Sequence, residues 1–189
     1  SLNLMTIEWQ NRGINMWTID EGEVTLVADT AEYSLPADTI DLLEQTIRTN
    51  SGVSATQTDL VIPRISMPTY AAIPNKLTTG RPNQIWIQRE GALPKFTVWP
   101  VPDSGAYVLR YWRMRRIEDA GDGVETPDIT FRFYPALVAG LAYHIAMKVP
   151  DLLPRIQMLK EVYEEQFKLA ADEDREKATF RMTPRVARI

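Results

Sequence analysis

The spacing of apolar residues changes twice along the chain, and that double change limits the fold more than any single motif does. Leu2, Met5, Trp9, Gly13 and Met16 recur at helical spacing, with Leu4, Ile14 and Trp17 widening the stripe, so a helix is expected over residues 1 to 17. From about residue 23 to residue 115 apolar and polar residues alternate, as half-buried strands do. Helical spacing returns over residues 131 to 177. The expected class is therefore α+β: a helical bundle or hairpin with an inserted antiparallel β lobe. With 189 residues, 44% of them hydrophobic, residues 1 to 177 suffice for one elongated domain. Residues 178 to 189 are left as an extended C-terminal tail.

Within the lobe, Val24 and Leu26, then Tyr33 and Leu35, alternate around Ala28-Asp29-Thr30, the pattern of a hairpin closed by Pro36. Ile40, Leu42 and Ile47 mark the next strand. Residues 58 to 66 can pair with it across a polar loop containing Gly52, and Pro63 makes that partner an edge strand or a bulge. Pro68 and Pro74 frame a single helical turn. "NQIWIQRE", "KFTVWPVP" and "YVLRYWRMR", separated by Gly91-Ala92-Leu93-Pro94 and Asp103-Ser104-Gly105, read as an antiparallel meander. Six or seven strands are expected in all.

The C-terminal third sets an apolar run beside a charged one. Residues 131 to 149 carry Phe133, Leu137, Gly140, Leu141, Ile145 and Val149 on one side and Tyr134, Val138, Ala142 and Ala146 over much of the rest, which predicts a helix covered nearly all round. Pro150 and Pro154 bracket a turn. The last helix then shows Ile156, Leu159, Tyr163, Phe167 and Ala170 on one face, with Glu164 to Lys168 and Glu173 to Lys177 as outward pairs. Beyond Ala171 it has no apolar face, so its end is expected to run past the core as a stalk. Residues 151 to 177 hold eight acids and five bases, a net of -3, whereas the tail "ATFRMTPRVARI" holds Arg181, Arg185 and Arg188 and no acid. Thr183-Pro184 keeps that tail extended, free to lie against an acidic surface of another copy or of a partner.

Several chemistries find no residues to carry them. Cysteine is absent and His144 is the only histidine, which removes disulfides, thiolate zinc sites and cysteine nucleophiles and leaves no Ser-His-Asp triad. His144 reads as a core histidine bonded to a backbone carbonyl. "EDAGDGVETPD" lacks calcium-loop spacing, and no phosphate-cradling glycine motif occurs. The carboxylate pairs Asp119/Asp122 and Glu164/Glu165 lie in a loop and on a solvated helix face, where nothing raises a pKa. No cofactor, no metal and no enzymatic activity are expected. The longest apolar stretch, residues 134 to 149, is broken by His144 and Lys148 and falls short of the ~20 residues a membrane span needs. Ser1 opens on a helix already in progress, with no signal-peptide pattern, which reads as processing or as numbering that begins inside a longer protein.

Two stretches invite a binding function. "LRYWRMRR", residues 109 to 116, mixes arginines with aromatics as single-strand nucleic-acid sites do; the favoured reading is a strand whose outward arginines meet acids of a neighbour, with Leu109, Tyr111 and Met114 or Trp112 inside. A net charge of -4 and a pI near 5.1 do not suit tight binding of duplex DNA. Trp86, Trp99 and Trp112 form a sugar platform only if all three are exposed in a concave row.

An ordered series of motifs narrows the class: "LNLM", "EWQNRGINMWTI", "YSLP", "DLLE" with "IR", "IPNK" with "GRPNQIWI", "VWPVPD", "YWRMRRIEDAG", "FRFYPALVAGLAYHIAMKVP" and "LKEVYEEQFKLAADEDRE". In this order they resemble the head-to-tail adaptor proteins of short-tailed bacteriophages, also called tail accessory factors or packaged-DNA stabilisation proteins. The resemblance runs over nearly the whole chain, with a leading helix ahead of Ser1 as the part not seen. It implies a structural protein of the virion neck, assembled in the host cytoplasm. It further implies a homo-oligomeric ring of about twelve copies that binds the portal protein, extends the channel for packaged double-stranded DNA and offers a platform to the tail nozzle. The tail residues Phe180, Arg181, Met182, Arg185, Arg188 and Ile189 are expected to contact the portal. Two alternatives stay open at this point, a glycan-binding β module and a cell-envelope hydrolase of a phage tail.

Overall fold

A computed structural model describes residues 1–13, 16–89, 93–117 and 127–174. In chain order the helices are α1 Leu2–Asn11, α2 Met67–Ala71, α3 Tyr134–Ala146 and α4 Ile156–Glu173, with 3-10 turns at Met16–Thr18, Phe131–Phe133 and Pro150–Arg155. The strands are β1 Ile19–Thr25, β2 Glu32–Ser34, β3 Thr39–Thr49, β4 Thr58–Val61, β5 Arg64–Ile65, β6 Gln84–Gln88, β7 Lys95–Trp99 and β8 Tyr107–Arg115. The class is α+β, as the double change of period requires. Contacts divide the chain into two compact units, one made of Ser1–Trp17 with Glu118–Ile189, the other of Thr18–Ile117.

The helical unit brings the two ends of the chain together. Its α1 is shorter than expected. Gly13 adopts φ 79°, a left-handed conformation that ends helices, so Gly13 is a stop signal and not part of the buried stripe. Met5 and Trp9 of α1 are fully buried with Phe133, Ala136, Ala146 and Tyr163. Trp9 Nε1 donates to Tyr163 Oη at 3.0 Å, and the Trp9 ring lies 5.3 Å from Phe133 and 6.0 Å from Phe167. Trp17 completes the cluster, 4.8 Å from Phe133, with Nε1 donating to the Asp128 carbonyl. Burial pushes the Tyr163 phenol up to about 12.

The charged face of α4 is used more than its sequence suggested. Glu164 does not pair with Lys168; it accepts from both terminal nitrogens of Arg12, at 2.8 and 2.9 Å. The same guanidinium bonds Glu8 and lies 4.4 Å from the Phe167 ring centre. This two-pronged bond holds the Glu164 carboxyl below the usual range and raises Arg12 further. Nor does the end of α4 run clear of the core: Ala170 and Asp174 are buried, and Asp174 lies 3.6 Å from Arg132. The stalk expectation is corrected on this point.

The second unit is two four-stranded sheets, ordered β1-β8-β3-β4 and β2-β7-β6-β5, joined by one cluster that includes Leu26, Leu35, Ile47, Ile85, Phe96 and Leu109. All pairs are antiparallel except β5 with β6. Two expectations fail here for one reason: the turns change sheet. β1 and β2 are not a hairpin, since β1 pairs β8 and β2 pairs β7. Between them Asp29 turns left-handed and gives its N–H to Pro102, while Tyr33 Oη accepts from Val27 N–H and donates to the Thr30 carbonyl. Likewise β6 and β7 pair, but β8 crosses to lie between β1 and β3. Pro100 and Pro102 lack donors, and the Val101 N–H between them goes to Thr78, so the ladder cannot continue. Pro63 falls at a third such crossing, between β4 and β5.

Two outcomes test this packing. A Cβ built on Gly140 would sit 2.6 Å from Met5 Sδ and 2.7 Å from Tyr163 Cε2, closer than packed atoms approach. Gly140→Ala gains at most ~1 kcal/mol of helix propensity, but overpacking a rigid ring costs about 1–3 kcal/mol, so the variant is expected to melt lower, by several degrees; equal or higher melting contradicts the contact. A double-mutant cycle on Arg12→Ala and Glu164→Ala is expected to return a coupling of about 0.2–1 kcal/mol at pH 7. Because the folded Glu164 pKa is depressed, that coupling is complete above the ordinary Glu value of about 4.3 and disappears as the pH falls through the lower folded value. Denaturant melts at pH 7 and about pH 2 measure both points.

Candidate interaction surface

The residues with chemical potential are committed to structure. His144 Nε2 faces Glu8 Oε2 at 3.3 Å, so its partner is a carboxylate of α1 and not the backbone carbonyl expected from sequence. Glu164 is held ionised by Arg12, the opposite of what a general acid needs. Among the described residues no group of three or more His, Asp or Glu is placed to hold a metal ion. Asp119, Asp122 and most of "EDAGDGVETPD" lie outside the described residues. No described helix is long and apolar enough to cross a membrane.

The arginine-aromatic strand follows its structural reading in part, since Trp112 and Met114 are half-buried and neither lies inside. Leu109 and Tyr111 of β8 are buried. Arg110 pairs with Glu21 on β1, Arg113 with Asp38 at 2.6 Å and Asp20 at 3.4 Å, and Arg115 with Asp20 at 3.0 Å. Arg113 lowers the Asp38 carboxyl through that bond. Three guanidinium groups neutralised in this way are not offered to phosphates. The shallow depression beside them, about 240 Å³, is lined by Glu21, Gly22, Glu23 and Arg110 and repels anions on balance.

None of the three lobe tryptophans stands free as a platform. Each is half-buried. Trp86 stacks on Tyr70 of α2 at 4.8 Å and 22°, Trp99 Nε1 donates to the Asn75 carbonyl, and Trp112 lies in register between Glu21 and Glu44. Trp86 and Trp99 are tied to other segments of their own unit, which speaks against the glycan-binding alternative.

What stands out instead is apolar surface on the helical unit. The expectation that α3 is covered nearly all round is not met. Phe133, Ala136, Gly140 and Ala146 face inward, but Phe131 is 76% exposed, Tyr134 54%, Val138 68% and Ile145 46%. One turn of α-helix is 3.6 residues, so Tyr134, Val138 and Ile145 align along one side of α3, with Phe131 and Val149 exposed beyond its two ends. On α4, Met158, Val162 and Leu169 are likewise exposed, opposite a helix face that buries Tyr163, Phe167 and Ala170. Leu4 and Ile7 of α1 add two more exposed apolar side chains. Large apolar patches on a folded unit mark contact sites. The signal for this surface lies in the sequence as an apolar helix with more apolar faces than one core can cover. The proposed portal contacts Phe180, Arg181, Met182, Arg185, Arg188 and Ile189 lie outside the described residues.

Among the described residues no catalytic group is assembled, most arginines pair with acids, and the helices carry unlike apolar faces, the features of a subunit that works by contact. No curated protein matches it in sequence. The family model described as SU10 adaptor protein matches residues 1–188. With a match over nearly its whole length, the chain belongs to the SU10 adaptor protein family, the phage head-to-tail adaptors.

Proposed function

We propose that the chain is a structural subunit of the virion neck: a ring of about twelve copies that seats on the portal protein after genome packaging, lengthens the DNA channel and presents a platform to the tail nozzle. The observation that carries this reading is the adaptor-family match over residues 1–188. The exposed apolar helices support it, because an isolated subunit with such faces has contacts still to make. The net charge of -4 also supports it. Packaged DNA must slide through such a channel, and an acidic body does not grip phosphates.

In this reading the basic tail is the portal contact. Phe180, Met182 and Ile189 enter apolar pockets while Arg181, Arg185 and Arg188 pair with carboxylates. Repetition of such a contact around a ring multiplies its strength.

Co-sedimentation with cognate portal rings tests the proposal. The full chain is expected to sediment with the portal, and a chain lacking residues 179–189 to lose most of that binding. Its melting temperature should change little, since the deleted sequence has no apolar periodicity to pack. Full portal affinity in the truncated chain removes the tail from the contact. In a gel-shift titration against duplex DNA, binding is expected to be weak and to fall steeply with salt; tight binding at physiological salt contradicts the channel reading.

A further inference from the structure

The exposed stripes of α3 and α4 share a geometry. On α3 the exposed residues Tyr134, Val138 and Ile145 stand at i, i+4 and i+11; on α4 Met158, Val162 and Leu169 stand at i, i+4 and i+11. At 1.5 Å per residue each stripe runs about 16 Å. Two i, i+4 ridges of equal length can interdigitate as packed helices do. The flanking charges differ in sign. Residues 131 to 149 contain no acid, and Lys148 is exposed beside Ile145. The α4 stripe is bordered by the acids Glu161, Glu165 and Asp172 and by the bases Arg155 and Lys168, which leaves it net acidic. Glu161 accepts from Gln157 Nε2, whereas neither Lys148 nor Glu165 bonds a side chain among the described residues.

Resting on the ring reading above, we infer that the occupant of the α3 stripe is the α4 stripe of a second copy, so that neighbouring subunits join through two unlike faces of the helical hairpin. The charge signs favour this pairing over α3 against α3, which sets lysine against lysine, and over α4 against α4, which sets two net-acidic borders together. The symmetry consequence also fits. A self-complementary patch stops at a dimer, but two unlike faces let every copy hold two neighbours, which closes a ring when the rotation allows. Lys148 of one copy then lies near the net-acidic border of α4 in the next, at the rim of an apolar seam.

The absence of cysteine makes the test specific to introduced thiols. Val138→Cys and Val162→Cys chains, both full length, are oxidised separately and as a mixture, in concentrated solution and on cognate portal rings. The mixture is expected to give a cross-linked dimer that neither variant gives alone, and the chain carrying both substitutions a ladder of higher species. Lys148→Glu is expected to reduce that ladder, and Glu165→Lys added to it to restore it. The inference is overturned if cross-links form within the Val138→Cys sample alone, which means a two-fold contact. It is equally overturned if no mixed cross-link appears under either condition, which means that the stripe is covered by the chain's own tail or by another partner. Mixed cross-links from a chain that fails to sediment with portals would sink the adaptor reading and leave this seam standing.

Discussion

One hydrogen bond, from Trp9 Nε1 to Tyr163 Oη, joins residues 154 positions apart at the centre of the helical unit. It states the constraint on which the fold depends: that unit cannot be completed by either end of the chain alone. α1 brings Met5, Trp9 and Arg12, and the C-terminal hairpin brings Phe133, Gly140, Tyr163, Glu164 and Phe167. Closing a flexible loop of that length is costly in entropy, though the cost grows only as the logarithm of length. Residues 18 to 117 reduce it by folding into sheets of their own. The Trp9 indole shows why no smaller residue would serve, because it touches Phe133 and Phe167 while its N–H satisfies a buried phenol that would otherwise lose a partner.

What was legible in the sequence was the period, and what was not legible was the partner. The inward faces of α4 and of β6 to β8 follow from spacing alone, and so does the pairing of β3 with β4 across the loop at Gly52. Spacing does not say which sheet a strand enters, because that is decided in turns by single hydrogen bonds, such as those of Tyr33 Oη and of the Val101 amide. Leu42 and Ile47 illustrate the limit. Their odd separation cannot place both inward on a regular strand, yet both are buried, and the register shift between Leu42 and Glu44 reconciles them. Glu164 is a second illustration, since local rules gave it Lys168 while the fold supplied Arg12 from the far end of the chain. The candidate surface on α3 was visible as an excess of apolar residues, but only the fold shows how few of them the chain itself can cover.

The charges divide between two tasks. Arg12, Arg48, Arg64, Arg110, Arg113 and Arg115 all pair with acids inside their own unit, most of them at least partly exposed, where each pair is worth little in stability. Their larger effect is on what the surface offers, because a guanidinium already bonded to a carboxylate is a poor ligand for phosphate. The acidic balance and the paired guanidinium groups both oppose binding of phosphates, whereas the last twelve residues of the sequence carry three arginines and no acid.

Gly140 has one more consequence. With Met5 and Tyr163 pressed against its bare backbone, α3 has a single angular setting about its own axis: turning it by one residue would drive a side chain into the Tyr163 ring. The helix therefore cannot roll to hide Tyr134, Val138 and Ile145, as a loosely packed helix would in a lone subunit. The tight contact on the inner side fixes the aim of the outer side, so the apolar row points outward at a constant angle before anything arrives to meet it.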